Sequence, residues 1–458
     1  MVIVEFIALS AINLVLIAAI IRKRGIASAE GFCMAYLGLA AVTDNVGLIV
    51  HYLFSPDSLP LGYREFAFRL YPTAVEILGL LILIAGLQFA DGRARSVRRQ
   101  PDEAELLQLR NIGVAITAVG LTLAIVALYL VGAFSISNFY GALNRFRSQE
   151  LPFGGFWYRG ADIAVFGLAL TLPNLHGKTR RLLLVLALMM TVSFFLRTNK
   201  GGLEEPIIWG AVVLFVYNRP FLNTFLNFKT VALALIIAFA GVGAKFWIVG
   251  RMGDSGQVPS SLEQVVVAAR SAAAMRWGDN GLYRGYCQFM NALPENRALF
   301  HGSKVGVYSL TSWVPRFFYP DKPAHPFRGL GFMIYSDFHS FQDETPAPML
   351  IGSAMADKGF VSLSEYLFLA GLFLGWFRRF TTASSKSLYT HCGYMFFVLL
   401  GGFSAEEGTL GIFYTLLLAY GVVAAARSLL FARDLLILRP ILRPDSLASD
   451  TELDNLPG

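Results

Sequence analysis

The chain has 458 residues, with 38 Lys and Arg against 31 Asp and Glu, for a formal net charge of +7. It is 55% hydrophobic and only 15% charged, with a mean hydropathy of +0.56. A soluble domain carries about 25% charged residues, so the composition excludes an ordinary soluble protein and points to one that lives in a bilayer, and the excess of base, gathered in loops, does not call for nucleic acid.

Taken in chain order, apolar runs long enough to cross roughly 30 Å of hydrocarbon as helix fall near 3–21, 30–53, 70–90, 111–134, 159–175, 182–196, 206–217, 230–250, 359–377, 387–403 and 409–431, about eleven spans in all. Helix is required because hydrocarbon offers no partner to backbone N–H and C=O groups, so the expected fold is an all-α polytopic bundle. The bases Arg22, Lys23 and Arg24 follow the first apolar run instead of preceding it, so no cleavable signal peptide is expected. The stretches 22–29, 91–110, 176–181, 218–229, 378–386 and the tail from 427 hold 20 Lys and Arg. The short connections of the other side hold seven: Arg64, Arg69, Arg145, Arg147, Arg159, Arg197 and Lys200. Lys and Arg gather on the cytoplasmic side, which puts the N-terminus outside and the tail inside. Cys33, Cys287 and Cys392 are odd in number and match no metal spacing, so neither a disulfide framework nor a zinc site is read. Asp44 and Asn45 in the second span and Glu76 in the third are costly in lipid and are expected to face the interior.

The division is then an N-terminal bundle over 1–250, a large extracytoplasmic loop over 251–346, a segment over 347–358, C-terminal spans over 359–431 and a tail over 432–458. Connections as long as this loop are seldom structureless and are often functional. It contains a helical patch, "SLEQVVVAARSAAAMRW", with Ser261 placed to cap it and Glu263 in its first turn. The segment "TPAPMLIGSAMADKGFVSL" is apolar but too short to span and is broken by Pro346, Pro348, Gly352 and Gly359. It reads as re-entrant, a form tolerated only against protein or a water-filled cavity.

Four groups of residues carry candidate chemistry. In "SWVPRFFYPDKP" the prolines Pro315, Pro320 and Pro323 restrict the backbone and hold Arg316 and Lys322 at a defined spacing, as an anion site needs. The alternative is a stiff loop whose bases pair with Asp321 or with headgroups. In "RTNKGGLEEP" the cations Arg197 and Lys200 sit beside two glycines that permit close backbone approach, with Glu204 following; the alternative is a polar turn closed by a Lys200 ion pair. In "RWGDNGLYRGYCQFMNALPEN" the residues Arg276, Tyr283, Arg284 and Tyr286 mix cations with rings suited to sugars; the alternative is a surface helix with ordinary ion pairs. In "YSDFHSFQDE" the residues Asp337 and His339 offer a general base; the alternative is a solvated loop. No Walker, dinucleotide, serine-elbow or HExxH pattern is present.

In the order of these features the chain resembles the O-antigen and exopolysaccharide repeat-unit polymerases, the Wzy-type family. The turn "RTNKGGL", the loop helix "MRWGDNGLYRG", the strut "VPRFFYPDKP" and the segment "IGSAMADKGFVS" carry the resemblance, which runs over about 190–365. It departs where the family turn has arginine and this chain Lys200, and where Ser353 and Ala354 follow Gly352. The resemblance implies a GT-C-like, metal-independent, inverting glycosyltransferase with no cofactor, in the bacterial inner membrane and facing the periplasm. Its donor and acceptor would be oligosaccharides on undecaprenyl pyrophosphate, and chain-length regulators and flippases would be its protein partners. Arg316, Lys322, Arg276, Arg284, Arg197 and Lys200 would stabilise the departing pyrophosphate, and Asp337, His339 or Glu204 would take the acceptor proton. An O-antigen ligase or a flippase of lipid-linked glycans are the other readings.

Overall fold

The structure, a computed structural model, describes residues 2–25, 28–54, 59–91, 103–130, 160–171, 282–314, 318–330, 348–382, 388–404, 408 and 410–438. Among these the regular elements are all helical. They are α1 (Val2–Arg24), α2 (Ala29–Ala41), a π-helical turn (Val42–Val46), α3 (Gly47–Phe54), α4 (Leu59–Asp91), α5 (Glu103–Leu130), α6 (Gly160–Thr171), α7 (Leu282–Asn296), α8 (Lys304–Thr311), α9 (Met349–Ala356), α10 (Phe360–Thr382), α11 (Leu388–Leu399) and α12 (Ile412–Leu438). Among the described residues six segments are long and apolar enough to cross a membrane: Val2–Arg24, Ala29–Val50, Arg64–Ala90, Leu107–Val126, Phe360–Thr381 and Ile412–Ala432. The chain is thus an all-α protein built for the membrane. Of the other expected spans, those near 159–175 and 387–403 coincide with the 12-residue helices α6 and α11, and those near 182–196, 206–217 and 230–250 lie outside the described residues.

Local chemistry sets the helix ends. α1 has Glu5 in its first turn and Arg22, Lys23 and Arg24 in its last, as the helix dipole favours. It ends at Gly25, whose φ of 81° only glycine adopts freely, and Ser28 then caps α2 by accepting from the Gly31 N–H at 3.0 Å. The two helices fold back as a hairpin.

The helices pack through small residues, as helices in lipid must, since lipid supplies no hydrophobic drive between them. α5 and α6 run antiparallel, with Gly113 against Thr171 and Gly160 against Ala124; a Cβ at Gly160 would lie 2.8 Å from the Ala124 backbone N. α4 and α10 run parallel, with Gly79 against Leu363 and Leu367, Gly86 against Gly371, and Gly375 against Ala90. α1 is parallel to both, with Phe6 beside Phe66 and the Arg24 Nη2 donating to the Leu87 carbonyl at 3.0 Å. At that second end Glu30, fully buried, lies 3.8 Å from Arg24 and 3.4 Å from Arg378. This polar knot marks the end of the bundle where the basic stretches 22–29, 91–110 and 378–386 begin.

One reading of the sequence is corrected here. Arg69 was assigned to a short connection outside the third span. It lies instead inside α4, fully buried. The helix begins well before the apolar window because partners distant in sequence, Asp44 for Arg69 and Arg284 for Glu65, supply what hydropathy cannot.

Candidate functional site

Pro72 lies inside α4. It has no N–H to offer the carbonyl one turn earlier, and that carbonyl, of Phe68, accepts from the Asn291 Nδ2 of α7 at 2.9 Å. The Tyr286 hydroxyl donates to the Pro72 carbonyl at 2.9 Å. A helix of the large loop therefore repairs the break in a membrane helix. One turn along α4, the Tyr283 hydroxyl donates to the Glu76 carboxylate at 2.6 Å and lies 3.3 Å from the Thr73 hydroxyl. Glu76 is fully buried and stands near the middle of the Arg64–Ala90 window, so α7 reaches deep into the bundle. Burial and the neighbouring Glu76 charge push the Tyr283 phenol well above its ordinary value, which keeps it a donor.

Beside this contact is a buried ion network. The π-helical turn adds a residue to one helical turn and re-aims the side chains that follow. Asp44 in that turn accepts from the Arg69 Nη1 at 2.5 Å, and the Asn45 side-chain oxygen lies 3.3 Å from the same nitrogen. Glu65 stands 3.8 Å from Arg69 and 3.2 Å from Arg284 of α7. Two acids and two bases thus join the π-helical turn, α4 and the loop. Arg69 Nε and Nη2 have no hydrogen-bond partner among the described residues, which leaves polar capacity inside the apolar bundle.

The strut is built outward from the same end. The Asp357 carboxylate accepts from the N–H groups of Val305 and Gly306 at 3.0 and 3.1 Å and also from the Tyr366 hydroxyl. It caps α8 from outside, where Ser303, in the left-handed region at φ 55°, makes no side-chain cap. At the other end of α8 the Lys322 Nζ donates to the carbonyls of Ser312 and Val314 at 2.6 and 3.0 Å. An acid at the N-terminus and a base at the C-terminus both suit the dipole. Phe289 of α7 meets Phe300 and Phe327 at ring distances of 6.3 and 5.6 Å, and Gly352 of α9 packs against the Phe289 ring. All eight residues of α9 are buried, and that length is too short to cross.

Of the residues singled out in the sequence, Lys322, Tyr283, Arg284 and Tyr286 fall among those described; Arg316, Arg276, Asp337, His339, Arg197, Lys200 and Glu204 lie outside them. Tyr283, Arg284 and Tyr286 come together on α4. The two tyrosines, read as sugar platforms, are buried and hold the loop to the bundle by their hydroxyls. Lys322, read as a free-standing anion ligand, fastens the strut to α8. Arg69, Glu65 and Asp357 were not singled out; the signal for Arg69 was Asp44, a buried acid that needs a cation. Cys33, Cys287 and Cys392 are free and buried. Among the described residues no three His, Cys, Asp or Glu side chains gather as a metal site. Compared with known proteins, the chain matches no family model, no curated protein and no solved structure.

Proposed function

We propose that the chain is a glycosyltransferase that joins oligosaccharide repeat units carried on undecaprenyl pyrophosphate, on the face where the 251–346 loop lies. The observation that supports this reading is the seating of α7 inside the bundle through Tyr283, Tyr286 and Arg284. It holds one helix of the 251–346 loop against helices able to contact a polyprenyl tail. The acceptor hydroxyl attacks the anomeric carbon of the donor's first sugar, the new glycosidic bond forms as the bond to pyrophosphate breaks, and a base takes the hydroxyl proton. Undecaprenyl pyrophosphate leaves. Arg316, Arg276, Arg197 and Lys200 stabilise the charge that builds on it, together with Lys322 and Arg284. Asp337, His339 or Glu204 receives the proton.

Preorganised cations of this kind each contribute about 3–4 kcal/mol to a transition state, or roughly 10²–10³ in rate. Purified protein in vesicles, given lipid pyrophosphate-linked repeats with a chelator present, should form a ladder of polymer, and Arg316→Ala should lose it by about that factor. A single transfer onto a lipid A core would replace this reading with a ligase. Movement of the lipid-linked glycan across the vesicle without any new glycosidic bond would replace it with a flippase.

A further inference from the structure

Helix α8 turns apolar side chains outward. Its buried residues are Val305 and Ser309, whereas Val307 and Leu310 are 40% and 63% exposed and Trp313, two residues past the end of the helix, is 44% exposed. A short helix on a water-facing loop would present the reverse pattern. On this face the Thr311 hydroxyl donates to the Val307 carbonyl at 2.8 Å and the Trp313 indole N–H to the Leu310 carbonyl at 2.8 Å, so these two polar groups ask nothing of water. The exposed Lys304 of the first turn donates to the Leu299 carbonyl at 2.8 Å and has the long stem that lets an ammonium reach the headgroups.

The level of this face is fixed by the chain. Asp357, which holds the first turn of α8, stands three residues before Phe360, where α10 and a candidate span begin. Phe360 and Val361, at the start of that span, are 51% and 57% exposed. The first turn of α8 is therefore held beside the start of α10, where the lipid-facing surface begins. Lys358 and Glu365, both exposed on the same few turns, set that level at the headgroup boundary, the depth where tryptophan collects.

We infer that α8 and Trp313 form an interfacial surface that lies in the bilayer, with Val307, Leu310 and Trp313 in the acyl region beneath the headgroups, as monotopic helices do. This inference uses no catalytic step and stands whether or not the chain joins glycans.

A nitroxide placed by Leu310→Cys tests it in full-length protein reconstituted into phosphatidylethanolamine and phosphatidylglycerol vesicles; the native cysteines are buried and take no label. Val361→Cys serves as the lipid reference and Asp321→Cys as the aqueous one. Collision with oxygen relative to a water-soluble nickel complex should be several-fold higher at 310 than at 321 and should approach that at 361. Val307→Cys repeats the measurement where Leu310→Cys disturbs folding. A nickel-dominated signal at both positions would overturn the inference in favour of water, and low access to both probes would overturn it in favour of a covering protein, a second copy included.

Discussion

Arg69 and Asp44 share one hydrogen bond at 2.5 Å with side chains 0% and 3% exposed, so neither can fall back on solvent. Removing one partner of a buried pair costs about 3–5 kcal/mol, mostly for the charge left behind, whereas replacing both can be nearly neutral. Arg69→Met should therefore unfold at markedly lower temperature in detergent than Asp44→Asn combined with Arg69→Met, and losses that simply add would show that the two do not act as a pair. The tyrosines differ in the same way. Tyr283→Phe leaves a buried carboxylate oxygen without its donor, a loss of about 1–3 kcal/mol. Tyr286→Phe withdraws a second bond from a backbone carbonyl and should cost less, which a matched pair of unfolding curves will show. None of these partners lies within a local window of the other: Tyr283 and Glu76 are 207 residues apart. That Asp44, Asn45 and Glu76 face inward was legible from cost alone. Which side chain answers each was not, because that is a property of the packed bundle.

At the scale of the element, the apolar runs were legible because length and hydropathy determine whether a helix can cross. The π-helical turn and the early start of α4 were not, since both serve contacts made elsewhere. α8 is the sharpest case: eight residues, too short to be stable alone, held by Asp357 at one end and Lys322 at the other. His325 adds a pH dependence to this unit. Its ring packs on Tyr308 and Phe327 at 5.1 and 5.9 Å, its Nδ1 accepts from the Phe327 N–H at 3.3 Å, and burial lowers its pKa to about 4. An unfolded histidine titrates near about 6.5, so between these values the unfolded segment binds a proton that the folded one refuses. Stability is full above the upper value and falls as pH drops toward the lower. Hydrogen exchange over 305–330, corrected for intrinsic rates, should show easier opening at pH 5 than at pH 7. His325→Phe should flatten that difference, and an unchanged slope would mean that another group titrates.

For the whole molecule, the parallel course of α1, α4 and α10 is the organising fact. If α4 and α10 both cross the membrane in one direction, the chain between them crosses an odd number of times, a condition that the five spans read from the sequence over 111–250 meet. Their contact depends on backbone meeting backbone: a Cβ at Gly371 would lie 2.6 Å from the Leu83 carbonyl oxygen, and neither atom is the end of a flexible side chain. Gly371→Ala must therefore push α4 and α10 apart, at a cost of about 1–3 kcal/mol by overpacking. Gly421 of α12 has nothing within 4 Å of the same position, and there alanine should be neutral or add roughly 0.4–1 kcal/mol by restricting the unfolded chain. Thermal unfolding of the two variants in one detergent separates the seam from helix propensity. Equal shifts in the same direction would mean that α4 and α10 do not meet at these glycines, and the parallel arrangement would have to be given up.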